Sequence, residues 1–301
     1  MKSFLLLLLL CTAAMAVAQQ RDDLTRALQQ RVSDFPGNVG LYVRHLVTGQ
    51  EVAINADSLF PTASMIKIPI TIGIFDKIEK GELRYDSVLT YRDSLASKVG
   101  EDILGSFRDG EKISLAKVLM LMITTSDNTA SIWSQALAGG GAAINAWLEK
   151  NGITHTRVNS RTPGREDAWK RYGWGQTTPR EMAQLLTLIR ENKVVSPRAS
   201  ERIYRNLTRI FWDGASLSQL PPYVQAASKT GSLDQYRAEV VLVNAPHGDY
   251  VFCVVANNMN DTRWTSDNAG NVLLRDVSRM LWNYFEPDSK WKPAEGSGEW
   301  F

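Results

Sequence analysis

The sequence predicts an α+β fold in which a five-stranded antiparallel sheet is flanked by helices and stands beside an all-α lobe. Two strand-like stretches lie near the start of the chain and three lie near its end, and helical periodicity dominates residues 64–207 between them. Strands this far apart in sequence can pair in one sheet, because the helical block is a long excursion from it. The two lobes should meet in a cleft, where substrate sites tend to lie.

The early elements follow from simple periodicities. Residues 22–32 have the pattern of an amphipathic helix, and residues 39–47 alternate as a strand does. Thr48-Gly49-Gln50 is typical of a hairpin turn. A second strand is therefore predicted at residues 51–54.

The later elements come in two blocks. Within the helical block, the helix at 179–190 is opened by Thr178 as its cap and by Pro179 in its first turn. The other helices of this block are predicted at 114–123 and 142–150. The late elements are strands at 226–229, 238–243 and 250–256, followed by a closing helix at about 265–284.

The domain organisation is predicted to be simple. There is no internal repeat or low-complexity linker, so residues 19–290 are expected to form a single domain. Its α/β lobe takes residues 19–60 and 211–290, and its all-α lobe takes residues 61–210. Residues 291–301, rich in Gly, Pro and Ser, are predicted to be a loose tail.

The first 18 residues have the pattern of a secretory signal peptide. A positive start at Met1-Lys2 precedes the apolar core Leu5–Leu10, and small residues lead to a cleavage position after Ala18. The apolar run is too short to remain as a spanning helix. We therefore expect a secreted or periplasmic protein without a membrane anchor.

Composition excludes several function classes. The formal net charge is +2 with acids and bases interspersed, so no basic stripe favours nucleic acid as a partner. The three histidines, His45, His155 and His247, lie in no motif for a histidine-based triad or a zinc site. Cys253 is expected to be a small buried hydrophobe. The sequence therefore predicts neither a metal nor a cofactor.

The chemistry is predicted to centre on Ser64 and Lys67. Pro61 and Thr62 are breaker and cap residues ahead of an apolar stretch, so a helix should begin close to Ser64. Residues three apart share a helix face, which brings the lysine amine within reach of the serine hydroxyl. A lysine in an apolar pocket can lose its charge and activate such a hydroxyl. The helix N-terminus can stabilise the oxyanion that results.

Two further motifs accompany this pair. Ser126-Asp127-Asn128 follows an apolar helical run, and Lys229-Thr230-Gly231 stands just before a strand-like run. The separations are 62 residues from Ser64 to Ser126 and 103 residues from Ser126 to Lys229. In this order and at these spacings, the motifs resemble those of the penicillin-recognising serine hydrolases, and of the class A β-lactamases in particular. The resemblance covers the chain from about Asn38 to Tyr284.

The resemblance implies a role for each residue of the second motif. The Ser126 hydroxyl would face Ser64 and relay a proton to the leaving nitrogen of an amide. Asn128 would hydrogen-bond the side-chain amide of a bound acyl compound and help to hold Lys67. A simpler reading is a helix cap, and both can hold if Asp127 caps while Ser126 faces the cleft.

The resemblance also implies how a substrate is held near the late strands. Lys229 would supply a positive charge and Thr230 a hydroxyl for a substrate carboxylate, with Arg237 as a second anchor. Gly231 would allow close backbone approach along the strand. The N–H groups of Ser64 and Ser232 would form the oxyanion hole.

One part of the family pattern is missing. Class A β-lactamases carry a glutamate in an omega-shaped loop that activates the water for deacylation, and the equivalent position here is Thr162. The nearest carboxylates are Glu166, as a possible substitute, and Asp167. Gly175 stands where the family usually has an aspartate that ties the loop to an arginine. The residues required for acylation are present, but deacylation is predicted to be slow.

The same loop is expected to be held in another way. It is rich in aromatic residues, namely Trp169, Tyr172 and Trp174. Aromatic side chains bury large areas when they pack. We therefore expect aromatic packing to hold the loop.

Three functions follow from these observations. The leading one is an exported, monomeric serine hydrolase that opens β-lactam rings through an acyl-enzyme on Ser64, as a β-lactamase of antibiotic resistance does. An alternative keeps the nucleophile but acts on peptidoglycan-like cell-wall peptide, as a penicillin-binding or D-alanyl-D-alanine peptidase does, with slow deacylation. A non-catalytic β-lactam-binding domain is the third.

Overall fold

A five-stranded antiparallel sheet organises the computed structural model, which describes residues 22–100 and 102–299. The predicted signal peptide lies outside the described residues. The strands are β1 (Asn38–His45), β2 (Glu51–Ile54), β8 (Ala226–Leu233), β9 (Tyr236–Val243) and β10 (Tyr250–Asn257). They pair in the order β2-β1-β10-β9-β8. The prediction of one sheet built from two early and three late strands is confirmed.

The helices follow the periodic segments of the sequence. A first helix, α1, covers residues 22–33. The others are α2 (Lys67–Glu79), α3 (Leu115–Thr124), α4 (Asn128–Leu137), α5 (Gly140–Lys150), α6 (Glu166–Tyr172), α7 (Pro179–Arg190), α8 (Pro197–Leu207) and α9 (Ala269–Phe285). Thr178 caps α7 by accepting from the backbone N–H of Glu181, as its sequence predicts. No helix in the described part of the chain is both long and apolar enough to cross a membrane.

The sheet is covered on both faces. Helices α1 and α9 pack on one face, and α7 packs on the other, together with the core of the helical lobe. This double cover explains why β9 and β10 are buried along almost their whole length instead of alternating between buried and exposed residues. The sheet and its helices form the α+β fold that the sequence predicts.

The helical lobe also contains two small sheets that the sequence does not reveal. In one, β4 (Val88–Thr90) pairs with β5 (Lys112–Ser114). In the other, β7 (Gly175–Thr177) lies between β3 (Phe60–Pro61) and β6 (Arg157–Val158). Strands of two or three residues are too short to show an alternating pattern. The region predicted to be all-α is therefore only mainly helical.

The aromatic-rich loop runs over residues 159–176, here called the omega segment, and polar contacts tie its ends together. The Arg165 guanidinium donates to Asn159 Oδ1 at 2.8 and 3.0 Å and to Gln176 Oε1 at 2.7 Å. Trp169 is half exposed, whereas Trp174 packs against the core. Aromatic packing through Trp174 is thus joined by an interaction that the sequence does not predict, because Arg165 bonds to both ends of the loop.

Gly175 leaves no space for the acidic residue that the family usually has at this place. A Cβ atom built on Gly175 would lie 2.4 Å from Ile66 Cδ1 and 2.8 Å from Thr62 Oγ1. Its backbone carbonyl accepts the N–H of Thr62, which precedes the turn that carries Ser64. The omega segment is thus packed directly against the start of α2.

We predict that Arg165→Ala loosens the omega segment while the rest of the fold stays intact. Hydrogen bonds from a charged donor contribute about 1.5–3 kcal/mol, so amide exchange within this segment should become at least about tenfold faster. Hydrogen exchange followed by mass spectrometry measures the change. Arg171→Ala is the matched control, since Arg171 lies exposed on the same segment. Equal protection in the two variants would contradict the role of Arg165.

Candidate active site

Ser64 lies on a 3-10 turn, Ala63–Ile66, that leads directly into α2. The predicted helix start is therefore close, although Thr62 makes no side-chain capping bond. Lys67 is the first residue of α2 and is fully buried. Its Nζ lies 3.0 Å from Ser64 Oγ. The spacing of three residues thus brings amine and hydroxyl into hydrogen-bond contact.

The Lys67 amine has four oxygen neighbours. Besides Ser64 Oγ, its Nζ lies 3.0 Å from Ser126 Oγ, 2.5 Å from the Ser126 carbonyl oxygen and 2.8 Å from Asn128 Oδ1. The two carbonyl oxygens can only accept, so they take the two N–H bonds of a neutral amine. The lone pair is then free to accept the O–H of Ser64 or Ser126. The arrangement suits a lysine that acts as a base.

Burial and several nearby charges set the pKa of Lys67. Burial and the neighbouring Lys229 lower it well below its ordinary value, while Asp102 and Asp127 oppose the shift. Burial penalises the charged form because the interior solvates an ammonium poorly. The environment therefore favours the neutral amine that a proton acceptor requires.

Asp127 caps a helix while Ser126 faces the cleft, which is the combination that the sequence pattern permits. Asp127 caps α4 by accepting from Ala130 N at 2.7 Å, while Ser126 turns both its hydroxyl and its carbonyl toward Lys67. Ser126 has φ of 62°, a left-handed conformation that is costly for a residue with a Cβ atom. Ala63, next to Ser64, has φ of 43°. Backbone strain thus lies beside both hydroxyls.

Asp102 supports this loop, and the sequence analysis missed it. Its two carboxylate oxygens accept the backbone N–H of Asn128 at 2.9 Å and the N–H and hydroxyl of Thr129 at 2.7 and 2.9 Å. These are free N–H groups at the start of α4. Nothing in the polar stretch around Asp102 distinguishes it from an ordinary loop, so only the tertiary structure reveals its place.

Ser64 and Ser126 open into a cavity of about 710 Å³ between the two lobes. Asn128, Thr230 and Ser232 also line it. A volume of this size suits a small organic substrate. The cleft between the lobes therefore lies where the sequence predicts it.

Lys229 is a buried cation with few partners. Its Nζ makes one hydrogen bond within the described part of the chain, to the Thr230 carbonyl oxygen at 3.2 Å. An ammonium has three donors, so two stay available for an anion. Burial lowers the pKa of Lys229 to about 7, and the buried Glu239 opposes this shift.

Gly231 brings its strand against the Ser64 turn. A Cβ atom built on Gly231 would lie 2.6 Å from the Thr62 carbonyl oxygen and 3.2 Å from Ala63 Cβ. Only glycine fits there, and the close approach puts Ser232 in the wall of the cavity that Ser64 also lines. Backbone N–H groups on these two segments can converge on one oxygen atom.

Arg237 has partners other than a substrate. Its guanidinium donates to the carbonyl oxygens of Leu233, Tyr236 and Arg263 and stacks on the Trp264 ring, 4.5 Å from the centroid. The side chain is fully buried. Arg237 is therefore engaged by other parts of the protein, whereas Lys229 has a single hydrogen-bond partner among the described residues.

The two residues considered for deacylation face away from the cavity around Ser64. Thr162 is buried, donates its hydroxyl to the Ser160 carbonyl oxygen at 3.0 Å and packs against Gly141. Glu166 is exposed and accepts from Gly164 N at 3.1 Å. Both line a neighbouring cavity of about 660 Å³ on the other side of Trp174. Among the described residues that line the catalytic cavity, Asp234 is the one carboxylate.

The histidines make contacts outside the catalytic cavity. His45 packs on Phe285, and the other two bind carboxylates, His155 with Glu181 and His247 with Glu286. Across residues 22–100 and 102–299, no group of three or more potential ligands is arranged to hold a metal ion.

Comparison with known proteins gives consistent results. The Beta-lactamase enzyme family matches residues 23–285 of this chain. The β-lactamase VEB-1 of Pseudomonas aeruginosa is 23% identical over 276 residues, which cover 88% of this chain and 91% of VEB-1. A β-lactamase of Bacteroides uniformis is 23% identical over 290 residues, which cover 93% of this chain and 97% of that protein.

Solved structures share the fold. PBP-A superposes with a TM-score of 0.77 and 30% identity over 88% of this chain and 96% of PBP-A. A leucine-to-glutamate mutant of PBP-A, solved as an acyl-enzyme complex with penicillin G, gives a TM-score of 0.78 and 29% identity over 88% of this chain and 97% of that chain. Sequence, fold and family match agree, and the chain belongs to the Beta-lactamase enzyme family as a serine β-lactamase-type hydrolase similar to class A.

Proposed function

We propose that this protein opens β-lactam rings by forming an acyl-enzyme on Ser64. The observation that carries the proposal is the position of Lys67 Nζ, 3.0 Å from Ser64 Oγ and 3.0 Å from Ser126 Oγ. One buried amine thus touches both the hydroxyl that attacks and the hydroxyl that can pass a proton onward. The PBP-A mutant held as a penicillin G acyl-enzyme supports this chemistry on a related fold.

Acylation then proceeds by two linked proton transfers. The neutral amine of Lys67 takes the proton of Ser64 as its Oγ bonds to the lactam carbonyl carbon. When the carbon–nitrogen bond breaks, the proton returns from Lys67 through Ser126 Oγ to the leaving nitrogen. Atoms and charge balance, because the ring opening adds the Ser64 oxygen to the carbonyl and the Ser64 proton to the nitrogen.

The cavity walls supply binding and charge stabilisation. The N–H groups of Ser64 and Ser232 are proposed to bind the oxyanion of the tetrahedral intermediate. Lys229 and the hydroxyl of Thr230 are proposed to bind the substrate carboxylate, and Asn128 the amide of the acyl group. The Arg237 guanidinium is already engaged by backbone carbonyl oxygens and the Trp264 ring, so the proposed carboxylate anchor is Lys229.

Release of the acyl group is proposed to be slow. Water needs a general base, which typically contributes about 10²–10⁴-fold to such a step. The Thr162 hydroxyl cannot serve as a base near neutral pH, and both it and Glu166 line the neighbouring cavity. The proposed groups for acylation therefore meet in the catalytic cavity, whereas neither residue considered as the base for release lies there.

A penicillin-binding peptidase is the second candidate, and slow release favours it. An enzyme that acts on peptidoglycan-like peptide and is trapped by penicillin needs the same nucleophile but no efficient water activation for the trapped adduct. PBP-A, at 30% identity, supports this candidate. Release of D-alanine from a peptide would separate the two functions.

Export and assembly complete the proposal. The signal-peptide pattern of residues 1–18 supports a secreted or periplasmic protein. Ser64, Lys67 and Ser126 meet within one chain, so a monomer suffices for the chemistry. In such a compartment, turnover of β-lactams would protect the cell from antibiotics.

The decisive experiment is intact-protein mass spectrometry after brief and long exposure to penicillin G. Wild type is expected to gain the mass of one penicillin, whereas Ser64→Ala gains none because the nucleophile is gone. Ser232→Ala, another cavity-lining serine, is the matched control and should still be acylated, since its proposed role uses the backbone N–H. An adduct that persists in Ser64→Ala would overturn the assignment.

The role of Lys229 predicts a pH dependence. Its folded pKa of about 7 means that the cation is lost as pH rises above 7, so acylation by a carboxylate-bearing β-lactam should fall there. Lys67 acts in the opposite direction, because its neutral form is the active one and acylation weakens as pH falls. Lys229→Ala should slow capture of the carboxylate substrate about a hundredfold. Stopped-flow acylation across pH 5–9 measures both effects.

A small neutral ester provides the control for Lys229. It lacks the carboxylate, so its hydrolysis should show no decline from loss of the Lys229 charge above pH 7, and in Lys229→Ala it should lose only the smaller part that comes from the raised pKa of Lys67. Equal losses on both substrates would contradict the anchor role.

Glu166 is predicted to play no part in release of the acyl group. Glu166→Gln should leave the lifetime of the penicillin adduct unchanged, because the carboxylate is exposed beside another cavity. Asp167→Asn is the matched control on the same helix. Mass spectra recorded over time measure the lifetime. An adduct that becomes much longer-lived only in Glu166→Gln would show that the omega segment moves to bring this carboxylate to the acyl group.

A further inference from the structure

Two tryptophan side chains line the catalytic cavity while remaining strongly exposed. Trp212 is 42% exposed and Trp264 is 56% exposed. Substrate cavities are lined mainly by apolar and aromatic side chains that contact the ligand, so exposed rings in the cavity wall are candidates for such contact. These two residues, here called the indole pair, have no role in the acylation chemistry described above.

Trp264 is held in one orientation. Its Nε1 donates to Asp234 Oδ1 at 3.1 Å, and the Arg237 guanidinium lies over its ring at 4.5 Å from the centroid. Arg237 is itself fixed by backbone carbonyl oxygens. The polar edge and one face of the indole are therefore occupied, which leaves the second face for the cavity.

Trp212 is held by separate contacts. Its Nε1 donates to the Thr125 carbonyl oxygen at 2.9 Å, and Phe211 packs edge-on with ring centroids 5.0 Å apart. Phe211 N in turn donates to the Thr124 carbonyl oxygen. The ring is thus anchored to the end of α3 before any substrate binds, so little conformational entropy is lost when a ligand packs on it.

The contacts of the indole pair define which end of a substrate it faces. Trp212 bonds to Thr125, the neighbour of Ser126, whose hydroxyl serves the leaving nitrogen. Trp264 stacks on Arg237, which pairs with Ser232 in the sheet. Trp212 is thus anchored beside the residue that serves the leaving nitrogen, and Trp264 is anchored beside the strand pair that carries Ser232.

We propose that Trp212 and Trp264 form a subsite for a planar, uncharged aromatic substituent carried on the leaving-group side of the substrate. The proposal rests on the acylation function above and names a class of substrate for the same site. Flat rings pack favourably on indole faces in offset or edge-on geometry. The Asp234 carboxylate at the edge of the subsite disfavours a second anionic group there.

Two cephalosporins that differ only in the substituent at C3 of the six-membered ring test the proposal. One carries phenyl at this position and the other carries methyl. The measured quantity is the second-order rate constant for acylation. Wild type is expected to prefer the phenyl compound, and Trp212→Ala and Trp264→Ala should each reduce this preference about five- to tenfold. The methyl compound should lose less acylation rate than the phenyl compound in both variants.

Matched variants exclude general damage. Trp169→Ala removes an indole that is 51% exposed but lines the neighbouring cavity, so the preference should stay as in wild type. Trp212→Phe and Trp264→Phe keep an aromatic face and should retain most of the preference, even if an alanine variant folds poorly. An unchanged preference in both alanine variants, or an equal loss for both compounds, would overturn the subsite.

Failure of the acylation function can be told apart from failure of the subsite. If wild type forms no adduct with either compound, the proposed function fails. The subsite is then judged by calorimetric dissociation constants of the same two compounds for the same variants. Tighter binding of the phenyl compound that depends on the indole pair would support the subsite, and equal binding would reject it.

Discussion

The burial of one lysine is the constraint on which the rest of the site depends. The Lys67 amine is fully buried and lies within hydrogen-bond distance of four oxygen atoms. A buried amine is costly unless its hydrogen bonds are met, and it is useful as a base only if it is neutral. Every nearby element serves one of these conditions. The first turn of α2 brings Ser64, the loop before α4 brings Ser126 and Asn128, and β8 brings the second cation, Lys229.

Strain is the cost of this convergence. Ser126 can present its carbonyl and hydroxyl to the same amine only in a left-handed conformation, and Ala63 adopts a similar one beside the nucleophile. Such conformations persist when the surroundings over-determine them. Asp102 and Asp127 supply that support at α4, through hydrogen bonds to Asn128, Thr129, Ala130 and Leu104. Stability elsewhere in the helical lobe thus maintains the reactive geometry.

The sequence predicts what is local and misses what depends on the approach of distant segments. Helix periodicity and a spacing of three residues are enough to place Ser64 against Lys67, and strand patterns are enough to foresee the five-stranded sheet. Long polar side chains behave differently, because their partners are chosen by the tertiary structure. Arg165 joins both ends of the omega segment, and Arg237 turns to backbone carbonyls and Trp264. No pattern around either residue distinguishes these outcomes from a solvated side chain.

Acylation and release therefore depend on different parts of the molecule. The groups for acylation are attached to buried elements, and changes there would disturb the core of the helical lobe. By the family resemblance, water activation would come from the omega segment, whose middle is exposed and whose ends are joined through Arg165. Substitutions in its exposed middle, away from the contact of Gly175 with the start of α2, can change the path of the segment while Lys67 keeps its partners. In the proposed mechanism, the lifetime of the acyl-enzyme on Ser64 can therefore change while Ser64 and Lys67 stay intact, so the same fold suits either of the two proposed functions.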